Sequence, residues 1–230
     1  MLLFLVFGVF VYSLYFFASK LSDAALNKVD SLSIIALPVV MSGSYFVFVL
    51  FLQSKLLINL LMAVLIIFIY LYFLSVYYFL DLGMNNDTKK GYSLFNLTQY
   101  GGFFTFYLAA SGIYGLQSFV ATPTWLNILI IVLINGLLFY TMLWTNKRSL
   151  TDGLNVIILS SLVIMEIGWS LSFLSFKHTI LGLLLSLCYY VLNGLSWNYY
   201  IGNLNEVLIK KYLTFVIPAI IIILLTSQWL

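Results

Sequence analysis

The stretch "LLINLLMAVLIIFIYLYFLSVYYFL", residues 56–80, decides the fold. It contains no charged side chain. The hydrocarbon core of a bilayer is ~30 Å thick and a helix rises ~1.5 Å per residue, so about 20 apolar residues cross it. This run is long enough to cross with residues to spare.

Seven further stretches of the same kind flank it, at approximately 2–18, 32–52, 101–121, 124–145, 154–173, 179–200 and 209–229. The first is the shortest and 101–121 the least apolar. Composition points the same way. Hydrophobic residues make up 63% of the 230 and charged residues only 7%, whereas a soluble domain carries roughly 25% charged residues to face water. The expected fold is all-α: a polytopic membrane bundle of about eight transmembrane helices, forming a single integral membrane domain over 1–230 with no soluble domain. The longest connection, residues 81–101, is expected in part to extend the third span or to run along the interface.

Loop charges give an orientation. With eight spans, alternate loops on one side carry Lys20, Lys28, Lys89, Lys90, Lys147, Arg148, Lys210 and Lys211, and those on the other carry only Lys55 and Lys177. Basic residues near helix ends stay cytoplasmic, so both termini are predicted to be non-cytoplasmic. The opening "MLLFLVFGVFVYSLYFFASK" has no positive segment ahead of its apolar core. That favours an uncleaved first helix over a signal peptide.

Several function classes find no support. A net charge of +3 spread over the chain is no footprint for nucleic acid. Cys188 is the single cysteine, so no intrachain disulfide can form. The sequence lacks a P-loop, H-E-x-x-H, C-x-x-C and G-x-S-x-G. No cofactor or metal is expected, and nothing points to an enzyme. The expected partners are the lipid bilayer and other membrane proteins or a homo-oligomer.

One acid stands apart. Glu166, in "SLVIMEIGWSLSFLSFKHT" (161–179), sits inside an apolar run with Trp169 one turn on. An ionised carboxylate is costly near mid-bilayer, so the neutral acid is expected. Asn135, Ser111, Ser42 and Asn193 fall at comparable depths in other spans and with Glu166 and Trp169 form the candidate intramembrane polar site. Two readings stay open for Glu166. It is a proton or cation site, or it is packing glue that hydrogen-bonds a neighbouring helix.

Small-residue pairs at Ser111/Gly115, Gly168/Ser172 and Gly182/Ser186 have the spacing that lets helix backbones approach. Pro38 and Pro218 predict kinks, and a kink beside "MSGS", 41–44, could line a cavity. His178 reads as a polar loop residue after the sixth span.

Four stretches carry a resemblance: "LSIIALPVVMSGSYFVFVLF", "YSLFNLTQYGGFFTFYLAASGIYGLQSFVATPTWLNI", "MEIGWSLSFLSFKHTILGLLLSLCYYVLNGL" and "KKYLTFVIPAIIIILLTSQWL". With them the chain resembles an uncharacterised multi-pass membrane family, a domain of unknown function, of Patescibacteria-type candidate-phyla bacteria. Where this chain has Ser175, members of that family often carry proline. The resemblance implies a bacterial inner-membrane location and no activity. It places Glu166 at an acidic position of the pattern without giving it a role. The expected function is a non-enzymatic structural, accessory or assembly component of a membrane complex; the alternative is a small transporter or proton-coupled permease using Glu166.

The orientation is testable. A cysteine introduced beside Lys147 should resist an impermeant thiol reagent in intact cells and react after lysis; labelling in intact cells would invert the topology.

Overall fold

The computed structural model describes residues 28–82, 88–146 and 150–227. Among these residues the chain is all-helical, without strands. The helices are α1 (Lys28–Val49), α2 (Lys55–Leu82), α3 (Thr88–Val120), α4 (Thr124–Thr145), α5 (Leu150–Leu171), α6 (His178–Ile201) and α7 (Glu206–Thr226). Six of them, α2 to α7, are long and apolar enough to cross a membrane, and Ser33–Val49 within α1 is a shorter apolar helix. The predicted span 2–18 lies outside the described residues. The apolar spans differ in length, from 19 residues in α5 (Gly153–Leu171) to 25 in α2 (Lys55–Phe79) and 27 in α3 (Leu94–Val120).

Local chemistry sets the ends. Pro123, extended at φ −65° and ψ 135°, precedes α4; it lacks the N–H that a longer helix would need. α6 stops at Gly202, whose φ of 77° is left-handed, a conformation that glycine adopts without steric cost. There the amide of Asn203 donates to the carbonyl of Asn198 at 3.0 Å. α7 opens on Asn205, whose side chain accepts from the amide of Leu208 at 2.9 Å, satisfying one of the free donors of the first turn.

The connection 81–101 meets expectation at its start, where residues 81–82 extend α2. Apart from residues 83–87, which lie outside the description, most of it belongs to the next helix, since α3 already starts at Thr88. The sequence there looks polar, but Leu94, Thr98, Gly101, Gly102, Thr105 and Phe106 are all buried. Their three- and four-residue spacing makes one helical face. Packing of that face, rather than overall hydropathy, carries the helix inward to Thr88.

α3 is the central post and touches α1, α2, α4 and α6. Half or more of the apolar spans of α3, α4 and α6 is buried, against 11% for α2 and 6% for α7, which stand at the rim. The closest approach is between α3 and α6. A methyl group at Gly182 would lie 2.6 Å from the amide nitrogen and 2.7 Å from the Cα of Ser111. One at Gly112 would lie 3.2 Å from the amide nitrogen of Phe48 on α1. The segment "AASGIYG", 109–115, thus receives two neighbouring helices on two sides.

Aromatic rings fill the wider gaps. Tyr189 of α6 stacks on Phe106 of α3 at 4.5 Å and meets Phe139 of α4 edge-on at 5.8 Å. Such pairs add about 0.5–1.5 kcal/mol beyond the area they bury. The hydroxyl of Tyr114 donates to the carbonyl of Gly168 at 2.9 Å and ties α3 to α5.

Gly182→Ala should therefore be costly, because its methyl meets backbone that cannot swing aside. A loss of about 1–3 kcal/mol should appear as a lower melting temperature of the detergent-purified protein. Gly136→Ala, whose methyl would find its nearest neighbour at 3.9 Å, should melt like wild type.

Candidate functional site

The candidate polar residues divide into an inner and an outer group. Asn135 of α4 is fully buried. Its amide donates to the hydroxyls of Ser161 at 3.1 Å and Ser160 at 3.4 Å, bridging α4 to α5. Ser111 is fully buried at the α3–α6 contact, against Gly182. Ser42 is buried in α1, and its hydroxyl donates to the carbonyls of Pro38 at 2.8 Å and Val39 at 3.0 Å. These are local back-bonds of a serine to the turn before it; the carbonyl that Pro38 leaves without an amide donor is that of Ile34, one turn earlier. Asn193 of α6 is buried, and its amide approaches the hydroxyl of Tyr189 at 3.5 Å. Among the described residues no hydrogen bond joins these four to one another.

Glu166 is not among them. Its side of α5 is exposed, and so is Trp169, at 41%. Glu166 shares that face with Leu159, Leu162 and Met165, residues three or four positions apart that form one stripe, and Phe173, just past the end of α5, is exposed as well. The buried side of α5 presents Ser160, Ile164 and Gly168 instead. The candidate layer therefore splits: Asn135, Ser111, Ser42 and Asn193 face inward from their helices, while Glu166 and Trp169 face out of the bundle.

Three hydroxyls that sequence reasoning passed over also lie inside, together with the amide oxygen of Asn193. The hydroxyls of Ser33, Tyr72 and Thr105 and the amide oxygen of Asn193 are buried, with no hydrogen-bond partner among the described residues. They come from α1, α2, α3 and α6, each between four and five turns, roughly 24 Å, from the helix end on the side of Lys55 and His178. An unpartnered buried polar group costs ~1–3 kcal/mol. The only signal for the three hydroxyls in the sequence was a polar residue in an apolar run, which many harmless positions share.

His178 also departs from its reading as a loop residue. It is the first residue of α6 and is buried. The rings of Phe51 and Phe119 each lie 5.7 Å from its ring and stack on each other at 5.4 Å. Two aromatic side chains from neighbouring helix ends roof it over. Beside the "MSGS" turn of α1 is a cleft of about 250 Å³ lined by Gly43, Ser44, Val47, Ile113 and Ile134 among others. Its one hydroxyl, on Ser44, already donates to the carbonyl of Val40 at 2.7 Å, so the cleft offers apolar contact and no polar chemistry. Among the described residues no three of His, Cys, Asp and Glu come together as metal ligands would.

The Asn135 bridge gives a quantitative expectation. A double-mutant cycle with Asn135→Ala and Ser161→Ala should return a coupling of about 0.5–1.5 kcal/mol in reversible unfolding in detergent. Strict additivity would mean that the two side chains do not bond.

A family described as "Protein of unknown function (DUF5656)" matches residues 5–226. No curated protein and no solved structure matches. Because the match spans nearly the whole chain, the protein belongs to this family of unknown function.

Proposed function

We propose that this protein is an eight-span integral membrane protein of a bacterial inner membrane. In this reading both termini are non-cytoplasmic, and the protein serves as a non-enzymatic accessory or assembly subunit of a membrane complex. The loop charges support the orientation, and the six long apolar helices support the location. The observation that carries the functional reading is the outward placement of Glu166 on α5.

Glu166 is five residues from the end of α5 at Leu171, ~7.5 Å along the axis. Helical side chains lean toward the N-terminus of their helix, here toward mid-bilayer and away from the nearer interface. An ionised side chain facing lipid costs on the order of 3 kcal/mol at a helix centre, and less at this level nearer the helix end. A hydrogen bond between helices is worth ~1–2 kcal/mol in model peptides. The stripe Leu159–Leu162–Glu166–Trp169 supplies apolar contact around the acid. We assign it to a transmembrane helix of another protein that brings a basic or amide side chain to the level of Glu166. A second copy of this chain would bring another carboxyl to that level and neither a cation nor an amide. A permease built on Glu166 needs the acid to face a passage, so the outward placement supports the accessory reading.

The test uses the full chain with a photo-crosslinking residue at Leu162, extracted in mild detergent and examined by native mass spectrometry. One partner should crosslink at fixed stoichiometry. Glu166→Leu should abolish the complex while leaving the melting temperature near wild type, and Glu166→Gln, which still hydrogen-bonds, should retain part of it. Crosslinks only between copies of this chain, or complex formation indifferent to Glu166→Leu, would sink the proposal. So would pH-dependent uptake into proteoliposomes that Glu166→Gln abolishes.

A further inference from the structure

α7 is the most exposed of the long helices, and it meets the bundle through α6. What fixes it is a ring on a glycine. Tyr212 lies over Gly194, where an added methyl would be 2.5 Å from both its Cζ and its hydroxyl. Tyr190, one turn before Gly194, approaches the Tyr212 ring at 5.7 Å. Asn198 is one turn after it and donates to the Gly194 carbonyl at 2.7 Å. A cleft of about 400 Å³ lies against this contact, lined by Tyr190, Asn198, Leu208, Lys211, Tyr212 and Phe215, within the size range of small-molecule sites.

The chemistry of that lining is uneven along the helix axis. Lys211 is the last charged residue before the apolar remainder of α7, so it marks the level where headgroups meet hydrocarbon. Among the described residues it has no ion-pair partner. Its neighbour Lys210 pairs with Glu206 at 3.8 Å. The hydroxyls of Tyr190 and Tyr212 supply neutral hydrogen-bonding groups in the same cleft, while the Asn198 amide is held by the Gly194 carbonyl. One turn beyond Lys211, Phe215 is 65% exposed and continues the lining as bare apolar surface, with Ile222 further along.

We propose that the α6–α7 cleft binds an anionic phospholipid. Lys211 pairs with the lipid phosphate, Tyr190 and Tyr212 hydrogen-bond the headgroup and glycerol oxygens, and an acyl chain runs over Phe215 along α7. A cationic, polar mouth above an apolar wall between two helices is the pattern by which membrane proteins hold acidic lipids. A soluble anion would use the mouth but not the wall.

The full chain, delipidated in mild detergent, is titrated separately with phosphatidylglycerol, with phosphatidylcholine of the same acyl chains and with inorganic phosphate. Retained lipid is read by native mass spectrometry and stability by melting temperature. Phosphatidylglycerol alone should be retained and raise the melting temperature. Lys211→Gln should lower its retention about fivefold, the factor expected for one lysine at a membrane surface. Lys210→Gln, which removes the same charge one residue away, should leave retention unchanged. Equal retention of the two lipids, equal effects of the two lysine variants, or stabilisation by inorganic phosphate matching that by the lipid would each overturn the assignment. Both lysines are exposed, so neither variant threatens the fold.

Discussion

The bundle depends on how closely the backbone of α3 is approached at residues 109–115. Between helices surrounded by hydrocarbon there is little hydrophobic gain from association, and packing with interhelical hydrogen bonds must do the work. Packing improves steeply as backbones come near, and only residues with little or no side chain permit that. Gly182 brings α6 against Ser111, and Gly112 brings α1 in on another side. The Tyr114 hydroxyl then reaches α5 from the same segment. About two turns of α3 thereby set the positions of three other helices. Wider gaps further along the axis are left to rings such as Phe106 and Tyr189.

Most of the helices were legible in the sequence, because span length against bilayer thickness is a strong constraint. Residues 124–145 were read as α4 and are α4; 56–80 and 179–200 lie within α2 and α6. The early start of α3 was not legible, since Leu94 and Thr98 join the helix through what they pack against. The small-residue pairs were visible as spacing, but not that Ser111 and Gly182 would meet each other. The count of eight spans rests partly on 2–18, outside the described residues.

The polar residues show the limit more sharply. Depth along a helix can be counted from the sequence, and Asn135, Ser111, Ser42, Asn193 and Glu166 were grouped that way. Azimuth around the helix depends on which neighbours a helix finds. A residue two positions from Glu166, such as Ile164, points the other way and is fully buried. Hydropathy periodicity could have separated the two faces if α5 were amphipathic. Both of its faces are apolar, as on a helix with protein on one side and hydrocarbon on the other, so the signal that orients surface helices in water is weak here.

The unequal apolar spans have a mechanical consequence for the surroundings. At ~1.5 Å per residue, the 25 residues of α2 and the 19 of α5 amount to heights of ~38 Å and ~28 Å. Lipid beside such a perimeter adjusts its thickness, at fractions of a kcal/mol per Å of mismatch. Against a hydrocarbon core of ~30 Å, α5 is close to matched and α2 exceeds it by ~8 Å, so in a bilayer it is at α2 that the helix would tilt or the surrounding lipid thicken.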